Sequence, residues 1–136
     1  MTIVPVLRTR RSVRFAQIAP GGFRLLAALD GATKTMGRDL EITCGTDSHT
    51  SGRHPDGEAY DVSVTGLTVA EIARLRSHLQ VTLGKRFTVL YEVPVSPTDP
   101  AEAAIAYVNP KATGKHLHLQ VRRVTAYPPP GNVAYG

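Results

Sequence analysis

Apolar positions recur along the chain with two different periods, and each change of period marks a new element. After Pro20 and two glycines, "FRLLAALDGATKTMG" carries Phe23, Leu26, Leu29, Ala32 and Met36 at helical spacing and stops at Gly37, which predicts a first helix. "LEITC" then alternates, with Leu40, Ile42 and Cys44 sharing one face as in a half-buried strand. A loop rich in Gly, Ser and Asp follows. Alternation resumes with Tyr60, Val62 and Val64 pointing one way, so Asp61 and Ser63 leave the core side.

"TVAEIARLRSHLQVTLG" opens with Thr68 and Glu71 at capping-box spacing, carries Ile72, Leu75, Leu79 and Leu83 along one stripe, and ends at Gly84. This predicts a second helix. "RFTVLYEV" reads as a strand halted by Pro94 and the "PVSPTDP" loop, and "AEAAIAYV" is compatible with helix or strand. In the last strand, "KHLHLQVRR", a period of two puts His116, His118 and Gln120 on one face and Leu117, Leu119 and Val121 on the other. The two imidazoles thus project side by side from backbone positions about 7 Å apart. Helices and strands do not alternate strictly, which predicts an α+β fold: a mainly antiparallel sheet with two packed helices.

A length of 136 residues predicts a single domain, residues 1–126 with a core over about 20–121, followed by a Pro/Gly-rich tail, 127–136, extended over the surface or disordered. With 42% hydrophobic and 20% charged residues the chain is too polar for a membrane span. A single cysteine, Cys44, excludes an internal disulfide framework and a thiolate metal cluster, and reads as a buried core thiol.

The net charge of +5 and a pI near 9.7 favour anionic partners, either nucleic acid or cell-wall polymer. Arg8, Arg10, Arg11 and Arg14 form a basic run, read as a solvated edge. Because no RNA-binding or helix-turn-helix motif and no aromatic platform accompanies it, no specific nucleic-acid partner is expected. "MTIVPVLRTRRS" lacks the pattern of a secretion signal, so the chain is expected in the cytoplasm as synthesised.

Candidate chemistry centres on "GRHPDGEAYD" and "HLH". A catalytic zinc site takes three protein ligands, usually from His, Asp and Glu, and keeps one position open. The chain offers His54, Asp61 and the pair His116 and His118, and Pro55 with Gly57 supplies the turn that carries an imidazole beside a strand-borne carboxylate.

These blocks resemble the zinc D,D-peptidases of peptidoglycan, peptidase family M15 and its relatives, whose fold is shared with the Hedgehog signalling domain. The family pattern runs Ser, any residue, His, two residues, Gly, any, Ala, any, Asp, with a later HxH or ExxH element on a strand. His54, Gly57, Ala59 and Asp61 match it in spacing, and "HLH" supplies the HxH form. The resemblance implies a zinc peptidase of peptidoglycan peptides, acting at the wall after release or carried by a virion, with His54, Asp61 and His118 as metal ligands and His116 beside the reacting water; a monomer is expected. It implies a zinc ion that lowers the pKa of that water from about 15.7 towards 7.

Three departures accompany the match. Gly52 replaces the motif's Ser. Lys115 stands where ExxH members carry their general base, which leaves Glu92 as the candidate base if its strand pairs beside His116, the alternative being an exposed strand carboxylate. Thr46 and Asp47 stand where many relatives carry a substrate-binding Arg, for which Arg53 is the substitute or else a solvated loop residue. His49 reads as a surface loop residue, and His78 is explained by packing or solvent on the second helix. The rival reading is a zinc-binding but non-catalytic module of the same fold, for which Lys115 is the best support.

Overall fold

A computed structural model describes residues 4–11, 13, 15, 17–45 and 58–122. His49, Arg53, His54, most of the loop that holds them and the expected tail lie outside the described residues. Six strands and three helices follow in the order β1 (Leu7–Thr9), α1 (Pro20–Met36), β2 (Leu40–Cys44), β3 (Ala59–Ser63), α2 (Val69–Leu83), β4 (Phe87–Val93), α3 (Pro100–Ala103), β5 (Ala106–Val108) and β6 (His116–Val121).

The strands form one sheet in the order β1-β2-β3-β6-β4-β5. The α+β class holds, but the sheet is mixed where a mainly antiparallel one was expected. The β1·β2 and β4·β5 pairs are parallel, while β2·β3, β3·β6 and β4·β6 are antiparallel. Both parallel pairs involve the three-residue edge strands, β1 and β5.

The local signals explain the helices. In α2, Thr68 and Glu71 form both bonds of the capping box, and Ile72, Leu75, Leu79 and Leu83 are buried along one stripe. The α1 helix starts earlier than expected, because Pro20 sits in its first turn, where its missing N–H costs nothing. Gly37 closes it at φ 68°, a left-handed conformation suited to glycine. Its buried stripe runs through Leu25, Ala28, Leu29 and Ala32, so Phe23, assigned to the core from spacing, is 60% exposed instead. The Ala-rich segment resolves into both alternatives, one turn of α3 capped by Asp99 followed by β5.

One core fills the space between the helices and one sheet face. It joins Leu25, Leu29, Ile72, Leu75 and Leu79 to Ile42, Tyr60, Val62, Val89, Tyr91, Leu117 and Leu119. Because β5 pairs only with Tyr91, Glu92 and Val93, the rest of β4 presents backbone groups beyond its reach. Gln80 of α2 accepts from the Val89 N–H and donates to the Phe87 carbonyl, and Arg76 donates to the Val89 carbonyl. Side chains of β3, β4 and β6 that alternate away from this core stand on the opposite face, and that face carries the candidate chemistry. Among the described residues no helix is long and apolar enough to cross a membrane.

The close approach of α1 to β6 is set by Gly21, where an added Cβ would collide with the Val121 side chain. Gly21→Ala should therefore destabilise the protein in urea unfolding, despite the gain of about 1 kcal/mol that alanine brings to a helix. Adding Val121→Ala should recover stability.

Candidate functional site

The register of β6 brings four polar side chains into one cluster. His116 lies opposite Ser63 of β3 and Glu92 of β4, and His118 lies opposite Asp61 of β3. Leu117 and Leu119 are fully buried in the core, Val121 packs partly against it, and both histidines point to the other face. The condition attached to Glu92 is thus met. Its strand pairs with β6, and at 9% exposure it is not an exposed strand carboxylate.

The hydrogen bonds define what each ring can do. His118 places Nε2 2.7 Å from the side-chain amide of Gln120 and Nδ1 3.0 Å from Asp61 Oδ1. A ring that donates from Nδ1 to Asp61 while Nε2 accepts from the Gln120 NH2 satisfies both contacts, and a metal ion held between Nδ1 and Oδ1 would satisfy them as well. A neutral imidazole nitrogen beside a carboxylate oxygen is a donor set that suits zinc, and the residues present fit the ion in this respect. At such a site Gln120, in contact with Nε2, would play the outer part.

His116 is held differently. Its Nδ1 lies 3.0 Å from the Gly114 carbonyl, and its Nε2 lies 2.9 Å from Glu92 Oε1 and 3.6 Å from Asp61 Oδ1. Both ring nitrogens face acceptors, so the geometry favours the doubly protonated ring. Burial alone, the largest single influence, would lower its pKa. The Glu92 hydrogen bond, the Asp61 charge, the Gly114 carbonyl and the Glu92 charge together outweigh burial and raise it. Glu92 is held below the usual carboxylate range, first by the His116 hydrogen bond, against burial, with help from the charges of both histidines and a bond from Asn109.

Lys115 does not enter this cluster. Its ammonium lies 2.8 Å from Glu102, which also accepts from the buried Tyr91 hydroxyl at 2.6 Å. Burial, then the Glu102 bond and charge, raise the pKa of Tyr91. Lys115 therefore ties the entry of β6 to α3, and the carboxylate beside His116 comes from β4.

His54, the expected third ligand, lies outside the described residues. Among the described residues no group of three or more His, Cys, Asp and Glu stands arranged to hold a metal ion. His78 lies on α2, among the elements packed on the opposite face of the sheet. Arg8 and Arg10 are met by Asp39 at 3.6 Å and Glu41 at 3.5 Å, ion pairs that partly neutralise the basic run. With Arg38 and Ser63 they line a cleft of about 520 Å³, which borders the cluster through Ser63.

Sequence reasoning missed Asn109, whose amide bonds Glu92, and the part of Gln120 in orienting His118. The alternation of "HLHLQV" placed Gln120 on the histidine face, a signal for the second, whereas "NP" reads locally as a turn and gives no sign of the first. No protein-family model, no curated protein and no solved structure matches the chain.

The two shifts set a pH window for the zinc-free protein. Glu92, with its folded pKa depressed, stabilises the fold above its unfolded value of about 4.5, and this is lost as pH falls through the folded value. His116, with its folded pKa raised, stabilises the fold below about 6.5, and this is lost as pH rises through the folded value. Urea unfolding of the zinc-free protein should show the pair's full contribution between roughly pH 4.5 and 6.5. Glu92→Gln should flatten both limbs.

Proposed function

We propose that the protein is a zinc-dependent peptidase of peptidoglycan stem or cross-link peptides, in which His54, Asp61 and His118 hold the metal and His116 and Glu92 handle protons. The observation that carries this reading is the pairing on one sheet face of an Asp–His contact, a nitrogen and an oxygen able to share a metal ion, with a Glu–His contact beside it. The match of "GRHPDGEAYD" and "HLH" to the zinc D,D-peptidase pattern supports the bond class, and the basic charge suits an anionic wall.

When bound, zinc would polarise a scissile carbonyl and acidify water. The chain's own groups supply the rest. Glu92, ionised and facing the cluster, takes the proton of the water that adds to the carbonyl carbon. His116 donates a hydrogen bond from Nε2, first to Glu92 at rest and then to the carbonyl oxygen as negative charge builds there, and keeps its proton throughout. The proton held by Glu92 passes to the amine nitrogen as the C–N bond breaks, which returns the carboxylate to its starting state. Asp61, 3.6 Å from His116 Nε2 as well as 3.0 Å from His118, keeps the positive ring electrostatically favourable throughout. Lys115 at the position of the ExxH Glu favours the non-catalytic reading; in favour of the catalytic one, a carboxylate reaches His116 from β4 instead.

The test is hydrolysis of a panel of cell-wall peptides by zinc-loaded wild type and variants, with bound zinc measured in parallel. His116→Ala should keep its zinc and lose roughly a hundredfold to ten-thousandfold in rate. Glu92→Gln should behave similarly, and His118→Ala should lose both metal and activity. Zinc retention by wild type with no turnover of any peptide would instead support a non-catalytic module.

A further inference from the structure

We propose that Asn109 is the positioning residue of Glu92, which rests on the reading of Glu92 as the proton acceptor. β5 runs parallel to β4 with Glu92 opposite Tyr107 and Val93 opposite Val108, so Asn109 leaves β5 one residue beyond the Val93 pair. Its backbone is held on both sides of the peptide unit: its N–H donates to the Val93 carbonyl at 2.8 Å, and its carbonyl accepts from Ala112 at 2.9 Å. Its side-chain oxygen accepts from the Lys111 N–H at 3.1 Å, an Asx turn. That bond fixes which way the carboxamide points and aims its NH2 at Glu92 Oε2, 3.3 Å away.

Glu92 is therefore gripped by both oxygens. Oε2 accepts from Asn109, and Oε1 accepts from His116 at 2.9 Å. Without the amide, the His116 bond alone would hold the carboxylate against rotation about its last side-chain torsion, which is broad and carries little preference of its own. At 3.3 Å the Asn109 bond is long, so its effect lies in orientation more than in energy. The consequence is that Oε1 is kept as the oxygen facing His116. Asn109 sets the direction of proton transfer without touching substrate.

Asn109→Asp tests this with minimal disturbance, since an aspartate can still accept from the Lys111 N–H and keep the turn, while setting an oxygen against Glu92 Oε2. The variant should melt below wild type at neutral pH. It should hydrolyse cell-wall peptide with kcat lowered by about tenfold to a hundredfold and KM little changed. Combining it with Glu92→Gln again places an amide against a carboxylate, so the double variant should regain the lost melting temperature but not the activity. Asn109→Ala gives a second handle: its loss in kcat should vanish in the Glu92→Gln background. An Asn109→Asp variant as stable as wild type, or one whose lost stability the double variant does not recover, would overturn the contact. A stability cycle as expected with unchanged kcat would reduce Asn109 to a structural residue and overturn the positioning role. If wild type cleaves no peptide, the proposed function fails, while the melting cycle still decides whether Asn109 holds Glu92.

Discussion

Everything at the candidate site depends on the antiparallel register of β6 between β3 and β4. That register sets Asp61 opposite His118 and Glu92 opposite His116, and the same pairing sends Leu117 and Leu119 into the core. Because side chains alternate with a period of two, a slip of one residue would bury both imidazoles and expose both leucines. The two fully buried leucines therefore stabilise the arrangement of the site as well as the fold. A hydrophobic constraint on one face holds a polar constellation on the other.

The polar face also has its own logic of donors and acceptors. Gln120 and the Gly114 carbonyl each fix one nitrogen of a ring, and each leaves the other nitrogen against a carboxylate. For His116 the conflict is resolved by a second proton, in keeping with its raised pKa. For His118 the Gln120 amide can serve as either donor or acceptor, and its nitrogen beside the Asp61 oxygen is the pair proposed to share a metal ion. The excursion between β4 and β6 braces this arrangement twice: Asn109 grips Glu92, and Glu102 links Lys115 to the buried Tyr91 hydroxyl. Two neighbouring histidines with the same strand geometry thus acquire different partners, and different parts in the proposed chemistry.

Much of this was legible in the sequence where the signal is local. The capping box and single apolar stripe gave α2, and strict alternation gave β2, β3 and the two faces of β6. The edge strands β1 and β5 were not legible, because three residues with two exposed positions each leave no alternation to read. Their parallel pairing is what turned an expected antiparallel sheet into a mixed one. Phe23 was misplaced because the helix began at Pro20 and its two glycines, which let it lie close to β6 and set a stripe one face round. Glu92 could be named but not placed, since strand pairing joins residues distant in sequence. Asn109 reached the site only through β5, an element that local reading did not resolve.

The central claim is that Asp61 and His118 share a metal ion. Zinc K-edge X-ray absorption on the zinc-loaded protein tests it most directly, with Asp61→Ala and His118→Ala as controls. The account predicts one tightly held zinc per chain, bound by about two imidazole nitrogens and a carboxylate oxygen at roughly 2.0–2.2 Å, with affinity lost in both variants. A protein that takes up no zinc, or holds it with an unchanged spectrum and affinity when Asp61 or His118 is removed, would contradict it.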